Sequence, residues 1–396
     1  MKKNFIWICG LLFLIGATTA YAKTPEKPIH KTMSELGQTI ALLNVEVFDE
    51  SLGAGTSKTD LKKSVGKMVQ LFNEAKPHMQ QRSVAYQISY EVMAQYLDDI
   101  QAVVNHGDID LARGMLKTVP QLCAGCHTQD NQQKKLFPSV DPKKFKTDLQ
   151  YADFSFVTRD YDNAVKYYEK YLISLENAKD EDIERALKKI LVIYAQVKKE
   201  PQEGAKILTK YLSNNTINKS IREKINEWVK GLNELESSSI VDENSLQKRQ
   251  AYIDYYLNQL KSHNVSYFAS EKDKVFYMTL RGLLYEYLNN NPVPNDIPVV
   301  LYWLAVCDRT LEYSFFDNLA DLYLKECILS YSNHPYARKC LNEYESYMKF
   351  AFTGSSGTYL PADISDEIEF LKSVVNRSLS DDRRTQEDAS KKTTRH

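Results

Sequence analysis

Val119-Pro120-Gln121-Leu122-Cys123-Ala124-Gly125-Cys126-His127 is the stretch of this 396-residue chain on which the rest of the reading turns. Upstream of the cysteines, Leu111, Met115, Leu116, Val119 and Leu122 recur at three- and four-residue spacing, which places them on one helical face. Asp108, just after the breaking pair His106-Gly107, can accept from that helix's free amides and start it. Three more amphipathic helices precede it. Met33, Leu36, Ile40, Leu43 and Val47 mark one over about His30 to Phe48. Leu61, Val65, Met68 and Leu71 mark a second from Lys58 to about Ala75, with Pro77 expected to end it. Val84, Ile88, Val92, Leu97 and Ile100 mark a third over about Gln80 to Asn105. Four such helices with short connections are what an antiparallel bundle requires.

Downstream, a polar linker over 131–146 carries Pro138 and Pro142, and beyond it the chain stays helical but changes character. Ala164-Val165-Lys166-Tyr167-Tyr168-Glu169-Lys170-Tyr171-Leu172 is echoed by Gly204-Ala205-Lys206-Ile207-Leu208-Thr209-Lys210-Tyr211-Leu212, with Lys, Lys, Tyr and Leu matching at an offset of 40. Self-similarity of this kind marks stacked helical hairpins. Residues 147–235 form the first such region, and 245–377 carry further helices at about Leu246 to Lys261, Lys272 to Asn289, Ile297 to Glu312, Phe316 to Tyr331, Pro335 to Phe350 and Asp363 to Val375. The tail, 378–396, is almost without apolar residues and is expected to be disordered. The fold class is therefore all-α: an N-terminal four-helix bundle followed by a helical-hairpin array.

Cys123-Ala124-Gly125-Cys126-His127 is a CxxCH sequence, the signature of covalent attachment of one haem c. Two thiols at this spacing on a helical turn can each add to one vinyl group of a porphyrin, and the histidine that follows presents a ring nitrogen to the iron. A thioredoxin-like pair would want a strand before the motif, and zinc would want a second Cys or His pair nearby. Neither context is present in the sequence.

The motif closes the helical domain rather than opening it, and no methionine stands between His127 and Met278. In this respect residues 28–130 resemble the class II c-type cytochromes, the cytochrome c′ family. The resemblance implies a four-helix bundle, His127 as proximal iron ligand and the start of helix one facing the iron from the other side. Met33-Ser34-Glu35-Leu36 is similar to that start, and Met33 occupies the matching place, either as a distal ligand or packed over the porphyrin. His30 shares its face and competes for the role, whereas His78 and His106 fall at helix ends. The Tyr or Arg that often follows the attachment histidine is replaced by Thr128, Gln129 and Asp130. Many relatives form homodimers through their first two helices. Around the first echo, Ala152, Tyr161, Ala164 and Tyr168 resemble a tetratricopeptide repeat, although the consensus glycine and proline are missing.

Lys2 and Lys3, the apolar run Phe5 to Ile15 and Ala20-Tyr21-Ala22 read as a cleavable signal peptide over 1–22, placing the mature chain in the periplasm. Nothing later reaches the roughly 18 apolar residues of a transmembrane helix. Lys and Arg total 51 against 52 for Asp and Glu, a balance that argues against nucleic acid as partner. In an oxidising compartment Cys327 and Cys340, on successive antiparallel helices, are candidates for a disulfide, while Cys307 has no evident partner. No triad or phosphate loop appears in 147–377. The expectation is an electron carrier rather than an enzyme, with the array docking a redox or scaffold partner protein. A five-coordinate haem that binds gases, and a repeat scaffold with an auxiliary haem, are the alternatives.

Overall fold

The computed structural model describes residues 28–48, 57–129, 140–175, 178–237, 254, 269–290, 292–311, 319–355 and 357–393. The expected leader (1–22), most of the linker and the helix expected at Leu246 to Lys261, except Asp254, lie outside them. The described residues are helical apart from loops, turns and one two-stranded antiparallel pair, Thr353–Gly354 with Gly357–Thr358. No helix among them is long and apolar enough to cross a membrane.

The N-terminal helices are α1 (Ile29–Leu42), α2 (Asn44–Phe48), α3 (Lys58–Met79), α4 (Val84–His106), α5 (Ile109–Leu116) and α6 (Val119–His127). The first and last helices read from the sequence are each broken in two. The second break has a clear cause: a continuous helix would press the Pro120 ring against the Leu116 carbonyl, so the chain restarts at Val119 with proline in the first turn. Pro77 does not stop its helix at once. It sits in the last turn, where its ring and missing N–H disturb only the Asn73 carbonyl and few turns remain to be lost, and α3 reaches Met79. Asp108 accepts from the Leu111 amide at 3.2 Å, as its position suggested, and Gly107 takes φ 102°, the left-handed close of α4 that a side chain would strain.

The array follows as α7 (Asp148–Val157), α8 (Tyr161–Ile173), α9 (Asp180–Val192), a π-helical turn (Ile193–Val197), α10 (Pro201–Thr209) and α11 (Lys219–Ser237). Beyond 269 come α12 (Glu271–Asn289), α13 (Ile297–Leu311), α14 (Leu319–Ser330), α15 (Pro335–Ala351) and α16 (Ala362–Thr393). Sequential helices pack on one another, and α4 also touches α12 and α14, so the array returns to the N-terminal helices. One hydrophobic cluster runs from Met33 to Val375. Cys327 and Cys340 are joined by a disulfide that staples α14 to α15, and Cys307 is a buried thiol.

The last helix, expected over about Asp363 to Val375, is α16 and continues to Thr393. From Ala362 to Thr393 there is no glycine or proline to end it.

Candidate functional site

Five elements converge on one cavity. α1 brings His30 and Met33, a turn apart; the end of α3 brings Phe72 and Met79; α4 brings Tyr86, Tyr90 and Met93; α6 brings Cys123, Cys126 and His127; and the end of α7, already in the array, brings Val157, Thr158 and Arg159. The cavity between these walls is about 1080 Å³, part of it open solvent. Its walls are mainly apolar, with Tyr90 stacked on Phe72 at 4.7 Å and its hydroxyl donating to the Phe72 carbonyl at 3.0 Å.

The sequence-derived candidates meet here. Cys123 and Cys126 are unbridged, and burial pushes both thiols up to about 12, Arg159 and a Ser89 hydrogen bond opposing it at Cys126. Such thiols are protonated at neutral pH. Met33 is buried, whereas His30 is exposed at the cavity's edge; His78 and His106 are not among the lining residues.

His127 is fixed by the array. Its Nδ1 is hydrogen-bonded to the Val157 carbonyl, and since a carbonyl only accepts, the ring proton sits on Nδ1. Nε2 is then the lone-pair nitrogen. Burial, with Arg159 nearby, pushes the imidazole down to about 3, so the ring is a neutral base throughout the physiological range.

The C-terminal end of α6 needs partners for its last carbonyls. Tyr161 donates to the His127 carbonyl at 3.1 Å, Gln196 to that of Thr128 at 3.1 Å and Asn289 to that of Gln129 at 3.0 Å. Three successive carbonyls are thus met by three separate parts of the array: α8, the π turn and α12. Thr128 and Gln129 turn inward, Thr128 Oγ1 to the Ala124 carbonyl at 2.8 Å and Gln129 Nε2 to Ser89 at 2.7 Å. Behind them Arg281 donates to Gln196 Oε1 at 3.3 Å and forms a buried ion pair with Asp308 at 2.6 Å.

Sequence reasoning missed Val157, Arg159, Gln196 and Asn289. Tyr161 was noticed only as part of the repeat pattern. None of these residues carries a local motif, and each acts across at least 30 residues of chain, Arg159 on Tyr86 of α4 and the others on His127, Thr128 or Gln129.

Among the described residues no group of three or more His, Cys, Asp or Glu side chains gathers as a metal site. Comparison with known proteins returned no matching family model, no matching curated protein and no matching solved structure.

Proposed function

We propose that this chain is an exported c-type cytochrome whose one haem is bound through Cys123 and Cys126, with His127 Nε2 on the iron, and that it carries electrons. A single observation supports this most: the CxxCH thiols line one mainly apolar cavity together with a histidine whose Nδ1 proton is tied to a backbone carbonyl, the arrangement that leaves Nε2 as a ligand. When bound, the haem supplies a one-electron couple. What the protein's own residues do is hold that group still. The Val157 carbonyl fixes the His127 tautomer, the α6 carbonyls are secured by Tyr161, Gln196 and Asn289, and the walls are mainly apolar. A rigid surround limits reorganisation when charge changes, which favours electron transfer.

Met33, buried in the cavity, is the better placed distal ligand, and His30 the more exposed rival. A His/Met pair raises the reduction potential. The helices from Ile29 to His127 we read as a class II bundle, and the array as a tetratricopeptide-like scaffold that docks the redox partner. The Cys327–Cys340 disulfide accords with a periplasmic location.

Mass spectrometry of chain exported by a host competent in haem attachment tests this: the mature mass carries the porphyrin. Bare polypeptide overturns it. A reduced spectrum that carbon monoxide leaves unchanged identifies the carrier, and a large rapid shift identifies a gas-binding protein instead.

A further inference from the structure

We infer that Arg159, a residue of the array, receives a carboxylate carried by the porphyrin itself, so that the cofactor is held by both halves of the chain. The inference rests on the haem reading above. The cavity is lined by two guanidinium residues, Arg82 and Arg159, and by no Asp or Glu. Tyr86 gathers both cations: the Arg82 guanidinium lies over its ring at 5.4 Å, and Arg159 Nη2 donates to its hydroxyl at 2.9 Å. Arg82 is exposed, while Arg159 is only 8% exposed. A porphyrin is a flat apolar body with carboxylate substituents, and the cavity offers an apolar body with its positive charge near Tyr86. The guanidinium fork matches a carboxylate in geometry and in charge.

The backbone points the same way. Arg159 holds φ 63°, a left-handed conformation that disfavours a side chain, at the turn between α7 and α8. The equivalent turn at Lys199 shares this conformation, so it belongs to the hairpin and sets where the Arg159 side chain begins. The residues directly after the attachment histidine do not serve this purpose, because Thr128 and Gln129 are engaged with α6 carbonyls and Ser89 and lie outside the lining.

The test uses the full exported chain, its mass confirming attached haem, in wild-type, Arg159→Asn and Arg159→Lys forms. Asparagine tolerates the left-handed backbone, so the turn is preserved. A positive charge beside the haem carboxylate disfavours the oxidised iron, so Arg159→Asn should shift the oxidised-to-reduced ratio at a fixed potential several-fold toward the oxidised form. The porphyrin carboxylate band in the resonance Raman spectrum should move with it, and Arg159→Lys should recover most of both changes. An unchanged midpoint and carboxylate band in haem-loaded Arg159→Asn overturn this inference and leave the cytochrome reading standing. If added inorganic phosphate shifts the wild-type midpoint as much as the substitution does, the guanidinium serves a free anion and the inference fails. Wild-type chain without haem overturns both readings together.

Discussion

The turn after α7 and the turn after the π-helical segment occupy equivalent places in successive hairpins, yet they do different work. Arg159 and Lys199 stand 40 residues apart, the offset of the sequence echo, and both adopt left-handed backbones, φ 63° and 56°. Arg159 sends its side chain back into the cavity and bonds Tyr86 on α4, whereas Lys199 pairs with Glu286 on α12. The hairpins also close differently. The Asp160 amide reaches five residues back to Ser155, and the Glu200 amide six residues back to Tyr194. That added residue is the π turn, and it carries Gln196, which bridges Thr128 and Arg281. A repeat thus fixes a backbone position while its side chains and one inserted residue adapt it: the first hairpin furnishes the cavity, and the second secures the helix that frames it.

The largest effect should come from breaking the second hairpin's footing. Arg281 and Asp308 form an ion pair with both side chains almost fully buried. Removing one partner of such a pair typically costs 3–5 kcal/mol, because it leaves a charge in the interior. Arg281→Met should lower the urea-unfolding free energy by about that amount at neutral pH. A loss near zero would mean that the bridge through Gln196 does not depend on the pair.

The same pair has a pH signature. Burial pushes the Asp308 carboxyl up from 3.8 to about 6, against the pull of Arg281, with Tyr285, Tyr323 and Cys307 also near it. A carboxyl that binds its proton more tightly when folded stabilises the fold most below about 4 and loses that contribution as the pH rises through 6. At 1.36 kcal/mol per unit, about two units give on the order of 3 kcal/mol. The stability of the wild type measured against Asp308→Asn should therefore fall by about this much between pH 4 and pH 7 in parallel thermal or urea melts. A difference that stays flat across that range removes Asp308 as the titrating group.

How much of this was legible beforehand follows from how far each interaction reaches along the chain. Local signals were read well: the Asp108 cap, the bounds of α13 and α15 to within a residue or two, and the Cys327–Cys340 pairing, which needs only two successive antiparallel helices. The echo at 40 residues foreshadowed the equivalent turns. Cys123, Cys126 and His127 were singled out by type and spacing and Met33 by the family resemblance, and all four line one cavity. The Val157 carbonyl and Arg159 could not be singled out, since a backbone acceptor has no sequence identity and no glycine or asparagine marked the strained turn. The π turn was equally hidden, because one inserted residue leaves the apolar periodicity of Ile190, Leu191 and Tyr194 nearly intact.

A smaller effect separates Gln196 from its neighbours. Gln196→Leu keeps the volume of the π turn but leaves the Thr128 carbonyl without its donor, which costs about 1–3 kcal/mol when the group is buried. Gly282→Ala approaches the same point from α12: its new Cβ would stand 2.3 Å from the Gln196 carbonyl oxygen, a contact only backbone movement can relieve. Overpacking of this kind costs about 1–3 kcal/mol. Both variants should shift the urea midpoint by similar amounts, and the double variant should fall short of their sum because the sites touch. Additivity would show that Gln196 and Gly282 act independently.

The smallest effect tests the comparison of the turns directly. Replacing a left-handed residue by glycine relieves about 1–2 kcal/mol of steric cost, offset in part by the greater freedom glycine gives the unfolded chain. That backbone term is common to both positions, so the difference between Arg159→Gly and Lys199→Gly reports the side chains alone. Lys199 loses a partly exposed ion pair, worth about 0–1 kcal/mol, and should come out within about 0.5 kcal/mol of the wild type. Arg159 loses a buried charge-assisted bond to Tyr86, worth about 1.5–3 kcal/mol, and should come out destabilised by about 1 kcal/mol. Paired urea unfolding curves decide it. If the two variants move together, the turns are interchangeable, and the site owes nothing to the hairpin that carries Arg159.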